Sequence, residues 1–134
     1  MNYPMLKDML KIDEGYRDTP YQDTVGVWTV GVGHNMNVPM DKDALLLQFN
    51  VDVDRAIEDC NKLFPNWRDL PDAKQVVLAN MMFNLGYNRL SKFKRMRAAI
   101  ARLDYNAAAR QMKDSKWCDQ VGDRCDRLCK IMQN

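Results

Sequence analysis

Several features that mark particular classes of protein are missing from this sequence or nearly so. Its 134 residues include a single histidine, and no stretch is of low complexity or internally repeated. No apolar run approaches the roughly 18 residues that a membrane-spanning helix needs. The first residues show no basic patch followed by an apolar run, so we expect no signal peptide and a protein that starts in the cytoplasm.

The composition that remains is that of an ordinary globular protein, with 46% apolar and 28% charged residues. By length we expect one domain over residues 1–134, large enough for a real core. The net charge of +2 predicts neither nucleic-acid binding nor stable membrane insertion. Basic residues are concentrated in the C-terminal half, which would suit a polyanionic surface such as a cell wall, although a solvated helical face explains them equally well.

The four cysteines form no CxxC pair. Cys125 and Cys129 would share one face of a helix, which could be half of a metal site. The simpler interpretation is that Cys60, Cys118, Cys125 and Cys129 are reduced thiols in a cytoplasmic protein.

Hydrophobic spacing predicts a mainly helical α+β fold. Apolar residues at intervals of three and four predict an N-terminal helix that stops at Gly15, and the alternation over Tyr16–Val32 is typical of short strands. We expect two lobes: a small antiparallel sheet lobe over residues 13–50, a bridging helix over 41–64, and a larger helical lobe from 1–12 and 65–134. Within the helical lobe, the sequence predicts a buried helix from Pro71 to Gly86 and helix caps at Ser91, Asp104 and Asp123.

The segment over residues 13–34 carries the candidate chemistry. Glu14 falls at the end of the first helix, where the negative end of the macrodipole disfavours a charged carboxylate. Asp23 precedes a turn, and Thr29 lies on the strand that returns from it. Two carboxylates on different local structures, with a hydroxyl nearby, are what acid/base hydrolysis of a glycosidic bond requires. Without further context, the same residues could be a helix-end acid, a turn-capping aspartate and a strand residue.

At this point the sequence resembles the T4-type phage lysozymes, the endolysins of glycoside hydrolase family 24 that cut bacterial peptidoglycan. The resemblance is carried by a specific spacing, Glu-x8-Asp-x5-Thr, and covers essentially the whole chain. Its segments are LKIDEGYR at 10–17, YQDTVGVWTVGVGH at 21–34, FNVDVDRAI at 49–57, NMMFNLG at 80–86 and SKWCDQVGDRCDRL at 115–128. It implies a lysozyme-like version of the two-lobed fold.

The resemblance also implies roles for the candidate residues. Glu14 would be the general acid, Asp23 would position and activate the attacking water, and Thr29 would help to hold that water. Arg124 would reach the catalytic glutamate, although it could also be a surface arginine, and Trp117 would be a structural tryptophan nearby.

Three further positions follow from the same resemblance, and a fourth, Gly33, follows from the glycine pattern of the strand segment. His34 and Asp52 would form an ion pair that ties the sheet to the long helix; a general-base role for the lone histidine is the alternative. Phe83 would lie at the floor of the substrate cleft. Gly33 suggests close backbone approach, either by the substrate or by the next helix.

We therefore predict an endolysin that hydrolyses the β-1,4 bond between N-acetylmuramic acid and N-acetylglucosamine, with inversion and without metal or cofactor. The family implies a monomer that acts on peptidoglycan in the periplasm for host lysis, after a holin has opened the way. The connection between His34 and the long helix is shorter than in T4-type enzymes, so the sheet lobe would be trimmed. Two alternatives stay open: a lytic transglycosylase acting on the same bond, and an inactive wall-binding module on a lysozyme-like fold.

Overall fold

The computed structural model describes residues 1–22, 28–32, 34–35 and 42–133, with side chains for 1–15 and 43–133. Within these ranges the chain forms eight α-helices, three short strands and one 3-10 turn. In chain order they are α1 Tyr3–Asp13, β1 Tyr16–Gln22, β2 Trp28–Val32, β3 His34–Asn35, α2 Lys42–Leu63, the 3-10 turn Trp67–Asp69, α3 Asp72–Leu85, α4 Tyr87–Ser91, α5 Lys94–Ala101, α6 Tyr105–Lys113, α7 Lys116–Val121 and α8 Asp123–Met132.

Helix α1 begins and ends on local signals. The Asn2 side chain accepts a hydrogen bond from the Met5 backbone N–H at 3.1 Å, and a proline lies in the first turn. At the other end Glu14 is the C-cap, and Gly15 has a φ of +69°. The predicted stop at Gly15 is confirmed, because the left-handed conformation that ends the helix costs glycine little.

Helix α3 is the centre of the helical body. It is buried on nearly every side, and it packs against α1, α2 and α8. Pro71 is its N-cap, and Gly86, with a φ of +82°, is its C-cap. The predicted buried helix from Pro71 to Gly86 is confirmed.

Helix α2 has 22 residues and therefore spans about 33 Å. One side of it enters the core through the buried residues Leu45, Phe49, Val53, Ala56, Cys60 and Leu63. Their spacing of three and four residues is the apolar stripe from which the sequence predicts this helix. The observed bounds differ from the predicted 41–64 by one residue at each end.

The three strands form an antiparallel ribbon in the order β1-β2-β3. Tyr16 pairs with Val32, and Gln22 pairs with Trp28. The strands have seven, five and two residues, so the ribbon is a minor part of the described chain.

The predicted fold class is corrected on this evidence. Every member of the described core lies on a helix or in the connection between α2 and α3. Eight helices hold most of the described residues, so the described structure is a helical fold and not the predicted fold with an antiparallel sheet lobe. The physical reason is size, because a ribbon this small cannot bury a core by itself.

Two of the predicted helix caps are also corrected. Asp104 does cap α6, accepting a bond from the Ala107 N–H at 3.0 Å. Ser91 instead ends α4, where its hydroxyl donates to the Asn88 carbonyl at 2.7 Å. Asp123 is the first residue of α8, and Gly122 occupies the cap position.

The cysteines differ from the prediction as well. Cys118 and Cys125 are joined by a disulfide, whereas Cys60 and Cys129 are free and buried. Cys125 is therefore not available as half of a metal site, and the described residues contain no group of three or more metal-binding side chains. None of the described helices could cross a membrane, because none is both long and apolar enough.

Candidate active site

Glu14 lies where the helical body passes into the strand ribbon. Its backbone N–H donates to the Leu10 carbonyl at 2.7 Å, which closes the last turn of α1. The chain then turns at Gly15 and enters β1 at Tyr16. The Glu14 side chain is 26% exposed, so the carboxylate is held by the protein and still reachable from solvent.

Arg124 is the direct partner of Glu14. It projects from the first turn of α8, and its Nη1 donates to Glu14 Oε2 at 2.6 Å. The two residues are 110 positions apart in the chain. A charge-assisted bond of this length is strong, and the Arg124 side chain is only 8% exposed. The structure thus brings together the two residues that the resemblance pairs.

A second layer of buried polar groups holds this arginine. Arg124 Nε donates to Asn80 Oδ1 at 3.0 Å, and Asn80 Nδ2 donates to Asp13 Oδ2 at the same distance. Arg127 Nη2 completes this series of hydrogen bonds by donating to Asp13 Oδ1 at 2.6 Å. The Asp13 and Asn80 side chains are fully buried. The chain of contacts runs from Arg127 to Glu14, and we call these five residues the carboxylate network.

Charge is balanced inside the carboxylate network. Two carboxylates face two guanidinium groups, and Arg124 Nε also lies 3.6 Å from Asp13 Oδ2. Buried charges are tolerated only when they are paired and hydrogen-bonded in this way. One buried donor, Arg124 Nη2, has no hydrogen-bond partner among the described residues.

Sequence reasoning missed three members of the carboxylate network: Asp13, Asn80 and Arg127. One signal was available, since Arg124 and Arg127 are three residues apart and therefore lie on the same face of a helix. An adjacent pair of acids at the end of α1 could have suggested two ion pairs. Nothing in the local pattern points to Asn80, which lies in the middle of an apolar helix.

Trp117 connects α7 to the central helix. Its Nε1 donates to Asn84 Oδ1 at 2.7 Å, and its ring is 3% exposed. The bond fixes α7 on α3 directly before the corner that leads to Arg124. A structural role for Trp117, as the resemblance implies, fits this contact.

Phe83 and Asp52 line one cavity of about 210 Å³ between α2 and the end of α3. The Phe83 ring is tilted against that of Phe49, with centroids 5.9 Å apart. Asp52 Oδ1 accepts a bond from Gln48 Nε2 at 2.9 Å, one turn earlier on α2. Both residues border the same concave surface, and their predicted roles stay predictions.

The other predicted site residues are described in part or not at all. Asp23 and Gly33 lie outside the described residues. Thr29 is in β2, where its backbone pairs with that of Tyr21, and His34 begins β3. For these two the structure describes the backbone alone, so their grouping with Glu14 remains a prediction.

Comparison with known proteins places the chain in a family. The model of the family described as phage lysozyme matches residues 11–130, a span that includes Glu14 and Arg124. A probable T4-type lysozyme 2 from Dictyostelium discoideum is 27% identical over 96% of this chain and 93% of its own length.

Two phage proteins match most of this chain over a small part of their own length. The pre-baseplate central spike protein Gp5 of Enterobacteria phage T4 is 26% identical over 95% of this chain and 27% of its own length. The peptidoglycan hydrolase gp36 of Pseudomonas phage phiKMV is 28% identical over 89% of this chain and 14% of its own length.

Taken with the fold and the carboxylate network, these matches define the class: the chain is an enzyme, a glycosidase of the lysozyme type. It belongs to the phage lysozyme family. The resemblance from which the site was predicted is thereby confirmed.

Proposed function

We propose that this enzyme hydrolyses the β-1,4 bond between N-acetylmuramic acid and N-acetylglucosamine in bacterial peptidoglycan, with Glu14 as the proton donor. The observation that carries the proposal is the position of Glu14: a partly exposed carboxylate at a helix end, held at 2.6 Å by a buried arginine. Family membership and the name of the peptidoglycan hydrolase relative support the substrate class.

Arg124 orients the proton donor. Its bond occupies Glu14 Oε2, so Oε1 is the atom that would meet the leaving oxygen of the glycosidic bond. Asn80 and Asp13 keep the guanidinium in place through buried hydrogen bonds. A catalytic acid works only when it is within hydrogen-bond reach of the oxygen that it protonates, so this fixed orientation contributes directly to the rate.

Asp23 and Thr29 would hold the attacking water on the opposite face of the sugar. Support comes from the ribbon, since β2 returns antiparallel to β1 and pairs Thr29 with Tyr21, two residues before Asp23. A water between acid and base implies inversion and a separation of the two carboxyl groups of about 6.5–9.5 Å, against about 5–5.5 Å in a retaining enzyme.

The products test the proposal. Purified peptidoglycan digested with this enzyme should yield fragments with new reducing-end N-acetylmuramic acid, and proton NMR at early times should show the α anomer first. A β anomer would contradict inversion and leave hydrolysis standing. Fragments lighter by one water would show a transglycosylase, and binding without any product would show an inactive wall-binding module.

We propose in addition that the enzyme lyses a bacterial host from within once the inner membrane has been opened. The support is that two of its relatives are phage proteins. Expressed in the bacterial cytoplasm, the enzyme should leave culture turbidity unchanged until a membrane-permeabilising agent is added. Lysis without that agent would contradict the requirement for a holin-made lesion.

A further inference from the structure

Three cysteines meet at the corner between α7 and α8. Gly122, with a φ of +58°, connects the two helices. The Cys118–Cys125 disulfide crosslinks them across this corner. Cys129 follows one turn later on α8, and its Sγ lies 3.6 Å from the Cys125 Sγ. A free thiol is thus in van der Waals contact with one sulfur of a disulfide.

The residues beside the disulfide connect it to the carboxylate network. Trp117, directly before Cys118, fixes α7 to α3 through Asn84. Arg124, directly before Cys125, holds Glu14. The disulfide therefore ties the start of α8, from which Arg124 projects, to a helix that is itself anchored on the central helix.

We propose that the Cys118–Cys125 disulfide is a redox-sensitive clamp on Arg124, and that Cys129 is the internal thiol that can open it. The effect on catalysis rests on the function proposed for Glu14. The exchange chemistry itself does not depend on that function.

The step is a thiol–disulfide exchange that needs no outside oxidant. The Cys129 thiolate attacks the Cys125 sulfur, a Cys125–Cys129 bond forms, and the Cys118–Cys125 bond breaks. Cys118 leaves as a thiolate and takes up the proton that Cys129 released. Residues four apart on a helix have Cα atoms about 6 Å apart, within the range that a disulfide spans. Their Cβ atoms are about 5–6 Å apart, so α8 must distort locally at this turn for the bond to close. The product is a crosslink within α8 that no longer reaches α7.

The surroundings of Cys129 keep the clamp closed at rest. Burial raises the pKa of the Cys129 thiol, the Asp126 carboxylate raises it further, and Lys113 opposes both. Lys113 Nζ is itself bonded to Asp126 Oδ1 at 2.8 Å. Since the thiolate is the attacking species, a thiol that stays protonated exchanges slowly. Cys129 also lines a cavity of about 350 Å³ between α6 and α8, which gives a reagent a route to it.

The sequence permits a direct test of the exchange. Trypsin cleaves after Lys116, Arg124, Arg127 and Lys130, so Cys118, Cys125 and Cys129 fall on three different peptides. The oxidised enzyme, without reductant, is incubated with iodoacetamide, digested and analysed by mass spectrometry. We expect alkylated Cys118 to accumulate together with a crosslink between the Cys125 and Cys129 peptides.

The matched control is Cys129→Ser, which keeps the clamp and removes the attacking thiol. In this variant Cys118 should remain unlabelled. The Cys60 peptide is an internal control for unfolding, because Cys60 is buried elsewhere in the core. The exchange would be overturned if Cys118 is labelled no more in the wild type than in Cys129→Ser. It would also be overturned if Cys118 in the wild type is labelled no faster than Cys60.

The clamp is tested by activity and by backbone dynamics. Reduction of the wild type with dithiothreitol should slow peptidoglycan hydrolysis by roughly ten-fold or more, since a small misplacement at an active site can cost about a hundred-fold. Amide hydrogen exchange over residues 117–125 should rise in the same sample. The double variant Cys118→Ser/Cys125→Ser should already be slow and should not respond to the reductant.

The outcomes separate the two proposals. Equal hydrolysis by oxidised and reduced enzyme would overturn the clamp and leave the function of Glu14 intact. No hydrolysis in any form, with Cys118 labelling and faster amide exchange as expected, would overturn the proposed function and leave the exchange standing.

Discussion

At the residue scale, Glu14 is the point where three separate constraints meet. The helix end places it, Gly15 turns the chain away from it, and Arg124 holds one of its oxygens. None of the three alone would make a catalytic group. Together they give a carboxylate of fixed orientation, which is the group that the proposed function uses as the proton donor.

Glu14→Gln should abolish nearly all peptidoglycan hydrolysis, by at least about a hundred-fold, because an amide cannot donate the proton that a general acid supplies. The fold should be retained, since glutamine can still accept the bond from Arg124. Glu58 is the other glutamate of the chain and lies exposed on α2, so Glu58→Gln is the matched control and should behave as wild type. Wild-type rates of turbidity loss in Glu14→Gln would refute the acid assignment.

Asn80→Ala should lower the free energy of unfolding by about 3 kcal/mol. Arg124 Nε and Asp13 Oδ2 would each lose a buried hydrogen bond, at roughly 1–3 kcal/mol per unpaired group. Hydrolysis should slow as well, because the arginine that orients Glu14 is released. Urea denaturation followed by circular dichroism measures the first effect. Asn106→Ala, at an exposed position on α6, should change stability by less than about 0.5 kcal/mol; equal losses in both variants would argue against a special role for Asn80.

At the element scale, helix ends that carry their own hydrogen-bond partners match the sequence signals. Asp104 caps α6, and the Ser115 hydroxyl accepts from the Cys118 N–H at 3.2 Å at the start of α7. One predicted cap does not match its signal. Ser91 ends one helix and does not begin the next, because α5 starts three residues later, at Lys94.

Asp104→Ala should destabilise the protein by about 1 kcal/mol, because the Ala107 N–H in the first turn of α6 would lose its acceptor. Thermal unfolding at pH 7 measures the loss. Asp54→Ala, in the exposed middle of α2, removes the same charge without removing a cap and should be close to neutral. A change no larger than that of Asp54→Ala would show that the cap contributes nothing.

At the scale of the whole molecule, stability depends on one core assembled from every helix of the described chain. Cys60 lies in it with no exposure, on the buried side of α2. Burial, with a smaller contribution from Asp59, raises the pKa of the Cys60 thiol far above its ordinary value. The folded protein therefore keeps this proton at a pH where the unfolded chain loses it.

Stability should fall above about pH 8.5, the ordinary pKa of a cysteine thiol. In that range the folded state binds more protons than the unfolded state, so the free energy of unfolding decreases with pH, by about 1.4 kcal/mol per pH unit from Cys60. Cys60→Ala lowers stability at every pH through the cavity it leaves, but it should flatten this slope. Urea denaturation of both proteins between pH 7 and 10 gives the comparison, and parallel curves would contradict the assignment.

Much of this protein could be predicted from the sequence because the deciding interactions are local. The stop at Gly15, the apolar stripe of α2 and the buried helix closed by Gly86 each depend on residues within a few turns of one another. The candidate site was predicted from a family resemblance, which was recognised by the spacing of Glu14, Asp23 and Thr29. Spacing along the chain located the candidate acid and did not indicate what surrounds it.

Only the tertiary structure determines which residues far apart in the sequence are in contact. Arg124 reaches Glu14 across 110 residues, Arg127 reaches Asp13 across 114, and both depend on where α8 packs. The same packing brings Cys118 and Cys125 together and leaves Cys129 beside them, although their spacing predicted no pair. It also puts the described core on the helices and in the connection between α2 and α3, and the fold is helical instead of having the predicted sheet lobe. Local patterns specify helices and their ends; which polar groups meet in the interior depends on how the helices share one core.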